Sequence, residues 1–331
     1  MAIQWEPFVD LVRRSTSVVL TTHVRPDGDG LGSMRALAEA LETLGKRVRM
    51  TVASVLPPRY QFLIDDGRVE RFELPGEPLR DADLAIVLDT GTRNQLGDFA
   101  AFLDGLTVPK VVIDHHPTQD GIATLPLVDT SAEATGRLAY DAIKAVGVPV
   151  SPRMANALFT ALAMDTGWFR FSNTTPATYA LAGELVAAGA TPEHLYELLF
   201  EQNSLGRVKL MGLALDRLKL ECDGRVAYTE IRRSDYAGTG AVPSDTEDLV
   251  NFTRTVAGVE VGLFFMEQPR GGVKVSFRSR THNVGQIAEQ FGGGGHRLAS
   301  GAILEATLAE AERRVLEAVR LALPARAVVQ K

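Results

Sequence analysis

The chain has 331 residues, 45% of them hydrophobic and 23% charged, enough to bury a core in one large or two medium domains. Its formal net charge of -6 argues against a broad basic surface for long duplex nucleic acid, but leaves room for a small positive pocket around a short anionic ligand. Cys222 is the only cysteine, which excludes an intrachain disulfide and a thiolate metal site and suits a reducing cytoplasm.

Taken in order, the opening stretch from Met1 to Glu6 lacks the basic-then-apolar pattern of a signal peptide. No later apolar run approaches the ~18 residues of a membrane span, so no membrane association is expected. Residues 5–14 suit a short helix. Ser17-Val18-Val19-Leu20 then opens a strand, followed by the turn His23-Val24-Arg25-Pro26-Asp27-Gly28-Asp29-Gly30. Leu31, Met34, Leu37, Ala38, Leu41 and Leu44 recur at helical spacing, with Gly45 placed to end that helix. Val48 to Val52 alternates as a second strand. The runs from Asp83 to Asp89 and from Lys110 to His116 are nearly continuous in apolar residues, as strands buried on both faces of a parallel sheet are. Helical stretches follow at about 133–146, 152–164 and 176–189. This alternation predicts an α/β fold with a doubly wound parallel sheet.

Beyond Thr191 the pattern changes. Residues 191–215 suit a helical linker between a first domain at 1–190 and a second at 216–331. Arg225 to Ile231, Val259 to Phe265 and Gly272 to Phe277 have strand composition, with Gly271-Gly272 available for a hairpin, and a last helix is expected at about 307–322. The second domain is therefore expected to be a smaller α/β unit with a mixed sheet.

Chemistry gathers at three strand ends. His23, Asp27 and Asp29 follow the first strand, Asp89 ends another, and Asp114-His115-His116 ends a third. Ligands of open α/β sheets bind beyond the carboxyl ends of the strands, so the three positions converge on one edge. Carboxylates that close repel one another, and a pair of divalent cations would offset them. Oxygen ligands mixed with imidazole suit Mn²⁺, with Mg²⁺ second. Asp165, in Asp165-Thr166-Gly167 at the end of an apolar helix, is a further acidic candidate.

In order and spacing, His23-x-x-Pro26-Asp27-x-Asp29, Asp89, Asp114-His115-His116 and Asp165-Thr166-Gly167 resemble the motifs of the DHH phosphoesterase superfamily. Ser276-Phe277-Arg278-Ser279 and Gly292-Gly293-Gly294-Gly295-His296-x-x-Ala299-x-Gly301 resemble the domain that accompanies it, so the likeness spans nearly the whole chain. It is greatest to the branch of NrnA-type oligoribonucleases that also remove the 3′-phosphate from 3′-phosphoadenosine 5′-phosphate (pAp). The resemblance implies that His23 and Asp27 hold one cation, that Asp29, His115 and Asp165 hold a second, and that Asp89 bridges them. It implies that Asp114 orients a neighbouring imidazole and that His116 reaches the scissile phosphate or protonates the leaving oxygen. Two such cations would lower the pKa of a water between them and bind phosphate oxygens. A homodimer through the first domain is also implied.

For the second domain, the glycines Gly293, Gly294 and Gly295 let backbone amides approach an anion, and His296 follows them. Arg278 with Ser276 and Ser279 suits a terminal phosphate. Arg93 is a basic group past Asp89, where relatives carry their arginine slightly later, at the place of Asn94-Gln95; a phosphate contact and a surface arginine both fit it. His194 and His282 are read as surface and loop residues. The expected substrates are short RNA oligonucleotides, dinucleotides such as pApA and pGpG, and pAp. The second domain would grip one nucleotide while the first presents cations to the neighbouring phosphodiester. The alternatives are a RecJ-like single-strand DNA exonuclease, which calls for a basic track, an inorganic pyrophosphatase of the same superfamily, and a non-catalytic nucleotide sensor.

Overall fold

A computed structural model describes residues 3–64, 67–74, 76, 79–269 and 271–323, with the backbone alone at His296. The chain divides into two compact units, Met1–Gln202 and Asn203–Lys331.

The first unit is built on a six-stranded sheet: β1 (Ser17–Thr21), β2 (Arg47–Val52), β3 (Val69–Arg71), β4 (Leu84–Leu88), β5 (Lys110–Asp114) and β6 (Leu125–Val128). Its order is β3-β2-β1-β4-β5-β6, and every neighbouring pair is parallel. Eight helices accompany it among the described residues: α1 (Glu6–Arg14), α2 (Gly28–Thr43), α3 (Gln61–Ile64), α4 (Phe99–Gly105), α5 (Thr135–Ala145), α6 (Pro152–Asp165), α7 (Pro176–Ala187) and α8 (Pro192–Phe200). Strand side chains alternate between two cores. Val18, Leu20, Ile86 and Ile113 pack with α2, α5 and α6, whereas Val19, Ala85, Val87 and Val112 pack with Phe99 and Phe102 of α4. Both sheet faces are therefore covered, which is why the strand sequences are apolar throughout. The fold is the doubly wound α/β arrangement expected from the sequence. Two edge strands go beyond that expectation: β3 is short with two exposed residues, and β6 carries Pro126, which only an edge tolerates.

The second unit contains α9 (Leu205–Asp216), β7 (Lys219–Glu221), β8 (Val226–Ile231), α10 (Arg233–Thr239), α11 (Val250–Thr253), β9 (Val261–Glu267), β10 (Val273–Ser279), α12 (Val284–Glu289), β11 (Gly294–His296), β12 (Ala299–Leu304) and α13 (Leu308–Ala322). The sheet order is β11-β12-β10-β9-β8-β7, mixed because β8 and β9 run parallel while the other neighbours are antiparallel. Val273, Val275 and Phe277 point to the core under α12 and α13, and Phe264 and Met266 pack on the opposite face with α9 and α11. No helix among the described residues is long and apolar enough to cross a membrane.

Candidate active site

The sheet order of the first unit reverses between β1 and β4, and the loops leaving their carboxyl ends diverge there, the usual ligand crevice of an open α/β sheet. β1 leads to His23, β4 to Asp89 and β5 to Asp114, His115 and His116. The N-terminus of α2 and the C-terminus of α6 add Asp27, Asp29 and Asp165.

The two aspartates of the turn are held differently. Asp27 caps α2, its Oδ1 accepting from the amides of Asp29 at 3.0 Å and Gly30 at 3.1 Å. Asp29 lies inside the first turn and is wholly buried. It accepts from Thr135 N at 2.7 Å, Gly136 N at 2.8 Å and Ser33 Oγ at 3.2 Å. The start of α5 is thus aimed at this carboxylate, where the helix dipole favours negative charge. Thr135 Oγ1 also donates to Asp89 Oδ1 at 2.9 Å. Asp89, 2% exposed, adopts a left-handed backbone with φ 63°, a strained conformation of the kind that gathers at functional sites. Gly30 leaves room for it: a Cβ there would lie 2.3 Å from Thr22 Oγ1 and 3.3 Å from Asp89 Oδ2.

The imidazoles are oriented by the main chain. His23 Nδ1 donates to Val24 O at 3.0 Å, which turns Nε2 to within 3.4 Å of Asp89 Oδ2 and 3.7 Å of Asp27 Oδ1. His115 Nδ1 donates to Ala132 O at 3.2 Å, placing Nε2 3.7 Å from Asp89 Oδ1, 3.7 Å from Asp165 Oδ2 and 3.9 Å from Asp29 Oδ2. Among the described residues three overlapping donor groups result, His23 with Asp27 and Asp89, Asp29 with His115 and Asp165, and Asp89 with His115 and His116; within each, the ligand atoms lie within 4.8 Å of one another. Asp89 turns one oxygen to each histidine.

This donor set fits divalent cations. His115 Nε2 is buried and has no hydrogen-bond partner, although three carboxylates surround it. With Nδ1 committed to a carbonyl, Nε2 presents a lone pair, which suits a cation. Burial and the charges of Asp89, Asp165 and Asp27 push Asp29 well above the usual carboxylate range. Burial likewise raises Asp89, despite the opposing His23, and lifts Asp165 to about 6 against the pull of His115. Burial disfavours charge on His23, yet Asp27 and Asp89 carry it to about 10. For Asp27, His23 and the amides of Gly30 and Asp29 outweigh desolvation and hold it low. Without a cation, the pocket keeps protons in its place.

Asp165 is the last residue of α6, and Asn173 Nδ2 donates to its carbonyl at 3.2 Å. Gly167, Trp168 and Phe169 after it are all left-handed. Gly167 is required there, since a Cβ would meet the Phe171 ring at 2.4 Å. Asp114 is buried and accepts from His116 Nδ1 at 2.8 Å; that contact, against burial, raises His116, whose side chain is 48% exposed. Arg93 is exposed and ion-paired with Asp104, so its charge already has a partner.

In the second unit the register of β10 separates the expected phosphate ligands. Ser276 and Arg278 share a half-buried face, opposite Gly301 and Ala299 of β12. Ser279 belongs to the other face and is wholly buried; its Oγ donates to Glu260 O at 3.0 Å and accepts from the amides of Thr281 and His282. The reading of Ser279 as a phosphate ligand is therefore corrected: its hydroxyl shapes the turn after β10. The four glycines form a turn and an edge strand. Gly292 has φ 71°, and a Cβ on Gly293 would lie 2.2 Å from Gly301 O. Gly295, at φ 138°, presses on β12, whereas a Cβ on Gly294 would meet nothing within 4 Å. The His296 side chain lies outside the described residues.

Thr135, Gly136 and Ser33 were not anticipated. A Thr-Gly pair opening a helix is a visible signal, but its target lies more than a hundred residues earlier.

Residues 17–163 match the model of the DHH family, N-terminal domain, and residues 223–323 match that of the DHHA1 domain. A bifunctional oligoribonuclease and PAP phosphatase NrnA from Thermus thermophilus is 34% identical over 307 residues, covering 92% of this chain and 89% of the relative. The protein of the same name from Bacillus subtilis is 30% identical, covering 86% and 88%. In fold, the chain is similar to the crystal structure of an exopolyphosphatase-related protein from Bacteroides fragilis, with a TM-score of 0.90 at 24% identity, covering 96% of this chain and 95% of that one. The chain belongs to the DHH family of phosphoesterases, hydrolases that depend on metal, and carries a DHHA1 domain after the DHH domain.

Proposed function

We propose that the protein hydrolyses short oligoribonucleotides and dinucleotides such as pApA and pGpG from the 5′ side to mononucleotides, and converts pAp to AMP. The observation that carries this reading is the pair of donor groups on either side of Asp89. His23 and Asp27 would hold one divalent cation, Asp29, His115 and Asp165 a second, with Asp89 shared; Mn²⁺ suits the mixed imidazole and carboxylate donors. Such cations supply charge neutralisation at phosphate oxygens and a water made acidic enough to attack phosphorus. His116, half-exposed and tied through Nδ1 to Asp114, keeps Nε2 for the scissile phosphate or the leaving oxygen. Ala132 O and Val24 O hold the other two imidazoles in the tautomer that leaves Nε2 unprotonated when neutral. In the second unit, Arg278 and Ser276, beside the unobstructed Gly294 with Gly293, Gly295 and His296, would hold a nucleotide. The names of the Thermus thermophilus and Bacillus subtilis relatives favour oligoribonucleotides and pAp among these substrates.

The test is a substrate panel with Mn²⁺-loaded protein, comparing pAp, pApA, pGpG, short RNA and single-stranded DNA. Asp89→Ala removes the carboxylate common to both groups. It is expected to cost more than the roughly 10–100-fold that follows loss of an outer partner of a metal ligand. Unchanged turnover in that variant would remove the two-cation proposal.

A further inference from the structure

We propose that Gln119 is a positioning residue that fixes the working orientation of His116. The inference rests on the reading of His116 as the group that meets the scissile phosphate.

Asp114 sits between two partners. Its Oδ1 accepts from His116 N at 3.1 Å and His116 Nδ1 at 2.8 Å. Its Oδ2 accepts from Gln119 Nε2 at 2.6 Å, and the same amide nitrogen donates to His116 O at 3.1 Å. One side-chain amide therefore binds both the carboxylate that aims the imidazole and the backbone that carries it. A carboxylate held at one oxygen alone can rotate about its terminal bond; held at both, it offers Nδ1 a single acceptor in a fixed plane.

The other face of the amide is fixed as well. A Cβ at Gly91 would lie 1.7 Å from Gln119 Oε1 and 2.2 Å from its Cδ, so the amide occupies the space that glycine leaves. Gly91 does not have a positive φ; the requirement is for room. Gly91 and Gln119 form a backbone bridge, and Asp120 N donates to Gly91 O at 2.9 Å. Gly91 belongs to the loop that follows Asp89. Gln119 thus sets the Asp114–His116 pair in register with the loop leaving Asp89, through hydrogen bonds and close packing and without entering the reaction.

Five variants test this in the full chain: Gln119→Met, which keeps the length but loses the donor; Gln119→Glu, which sets a second carboxylate against Asp114; Gln119→Ala; Gly91→Ala; and Gly91→Ala combined with Gln119→Ala. With pApA as substrate, the three single Gln119 variants are expected to lower kcat by about 10–100-fold, with KM changed less than about threefold. Gly91→Ala is expected to do the same in the wild type and to cost nothing more once residue 119 is Ala, because the amide it displaces is gone. A second readout needs no turnover: the downfield proton resonance of His116 Nδ1–H in cation-free protein should broaden or shift in Gln119→Met. Wild-type kcat with an unmoved resonance in Gln119→Met, or additive losses for Gly91→Ala and Gln119→Ala, would overturn the proposal. If the wild-type protein cleaves none of the substrates, the functional reading fails, while the His116 resonance still decides whether Gln119 positions the ring.

Discussion

His23 and Asp165 show what the site does before a cation arrives. His23 stays protonated up to about 10, and Asp165 up to about 6. Ligation needs both deprotonated, so cations and protons compete. The sign follows. Below about 10, binding at the His23 group expels a proton, and affinity there rises roughly tenfold per pH unit; below about 6, binding at the separate group that holds Asp165 also expels a proton from that carboxyl. Near pH 7, titration calorimetry in buffers of different ionisation heat should therefore find about one proton released per cation at the His23 group. Heats independent of buffer would contradict the pairing of His23 with Asp27 and Asp89. In the cation-free protein the same shift, upward from 6.5, stabilises the fold fully below that pH, a contribution lost as pH rises through about 10. His23 was legible in the sequence because an imidazole just past a strand buried on both faces has no packing reason to be there, whereas Asp165, at the end of helix α6, was singled out mainly through the motif resemblance. Thr135 and Gly136, the partners of Asp29, were not legible, because a hydrogen bond from one helix start to an aspartate in another leaves no local pattern.

At the scale of elements, the site depends on how closely α2 lies against α6. Gly32 is the tightest point: a Cβ there would stand 2.3 Å from Ala157 O, a backbone atom that cannot swing aside. At Gly28 the obstacle is Met164 Cγ at 2.5 Å, a flexible side chain. This approach brings Asp29, near the start of α2, and Asp165, at the end of α6, to the same histidine. Gly32→Ala is expected to destabilise the fold by about 1–3 kcal/mol and to weaken cation binding, because it drives the helices apart. Gly183→Ala, on an exposed stretch of α7 with nothing within 4 Å, is the control and should stabilise by about 0.5–1 kcal/mol. Thermal melts with and without Mn²⁺ would check both; equal effects from the two substitutions would show that the α2–α6 approach is not limiting. The apolar runs made the central strands readable, whereas β11 is a glycine edge without a pattern of its own. Ser279 marks a different failure. It lies three residues from Ser276, so in a strand of period two the pair must face opposite ways, and the register of β10 sends Ser279 inward.

For the whole molecule, net charge bears on which polymers the proposed activity would accept. The formal net charge is -6, with 41 acidic against 35 basic side chains, so a long strand would find few phosphate contacts to offset the repulsion. The chain divides at Gln202 and Asn203 into a unit that carries the carboxylates and imidazoles and a unit that carries Arg278 and the open Gly294. The sequence pattern predicts a first domain at 1–190, a helical linker at 191–215 and a second domain from 216, whereas α8 (Pro192–Phe200) lies in the first unit and α9 (Leu205–Asp216) in the second. A substrate held by one or two phosphate contacts should show a slope of log affinity against log salt of only about -0.7 to -1.4. That slope should be nearly the same for a two-mer and a ten-mer, since the extra phosphates of the longer strand meet no added positive charge. Without added binding energy, the longer strand gains nothing in the transition state and still loses conformational freedom on ordering. Turnover of a 5′-labelled RNA series from two to twenty nucleotides should therefore peak at the short end, with kcat/KM falling as length grows. Equal or rising kcat/KM at twenty nucleotides, or a salt slope that steepens with length, would show that the chain follows a longer strand and would replace the short-substrate reading with a processive one.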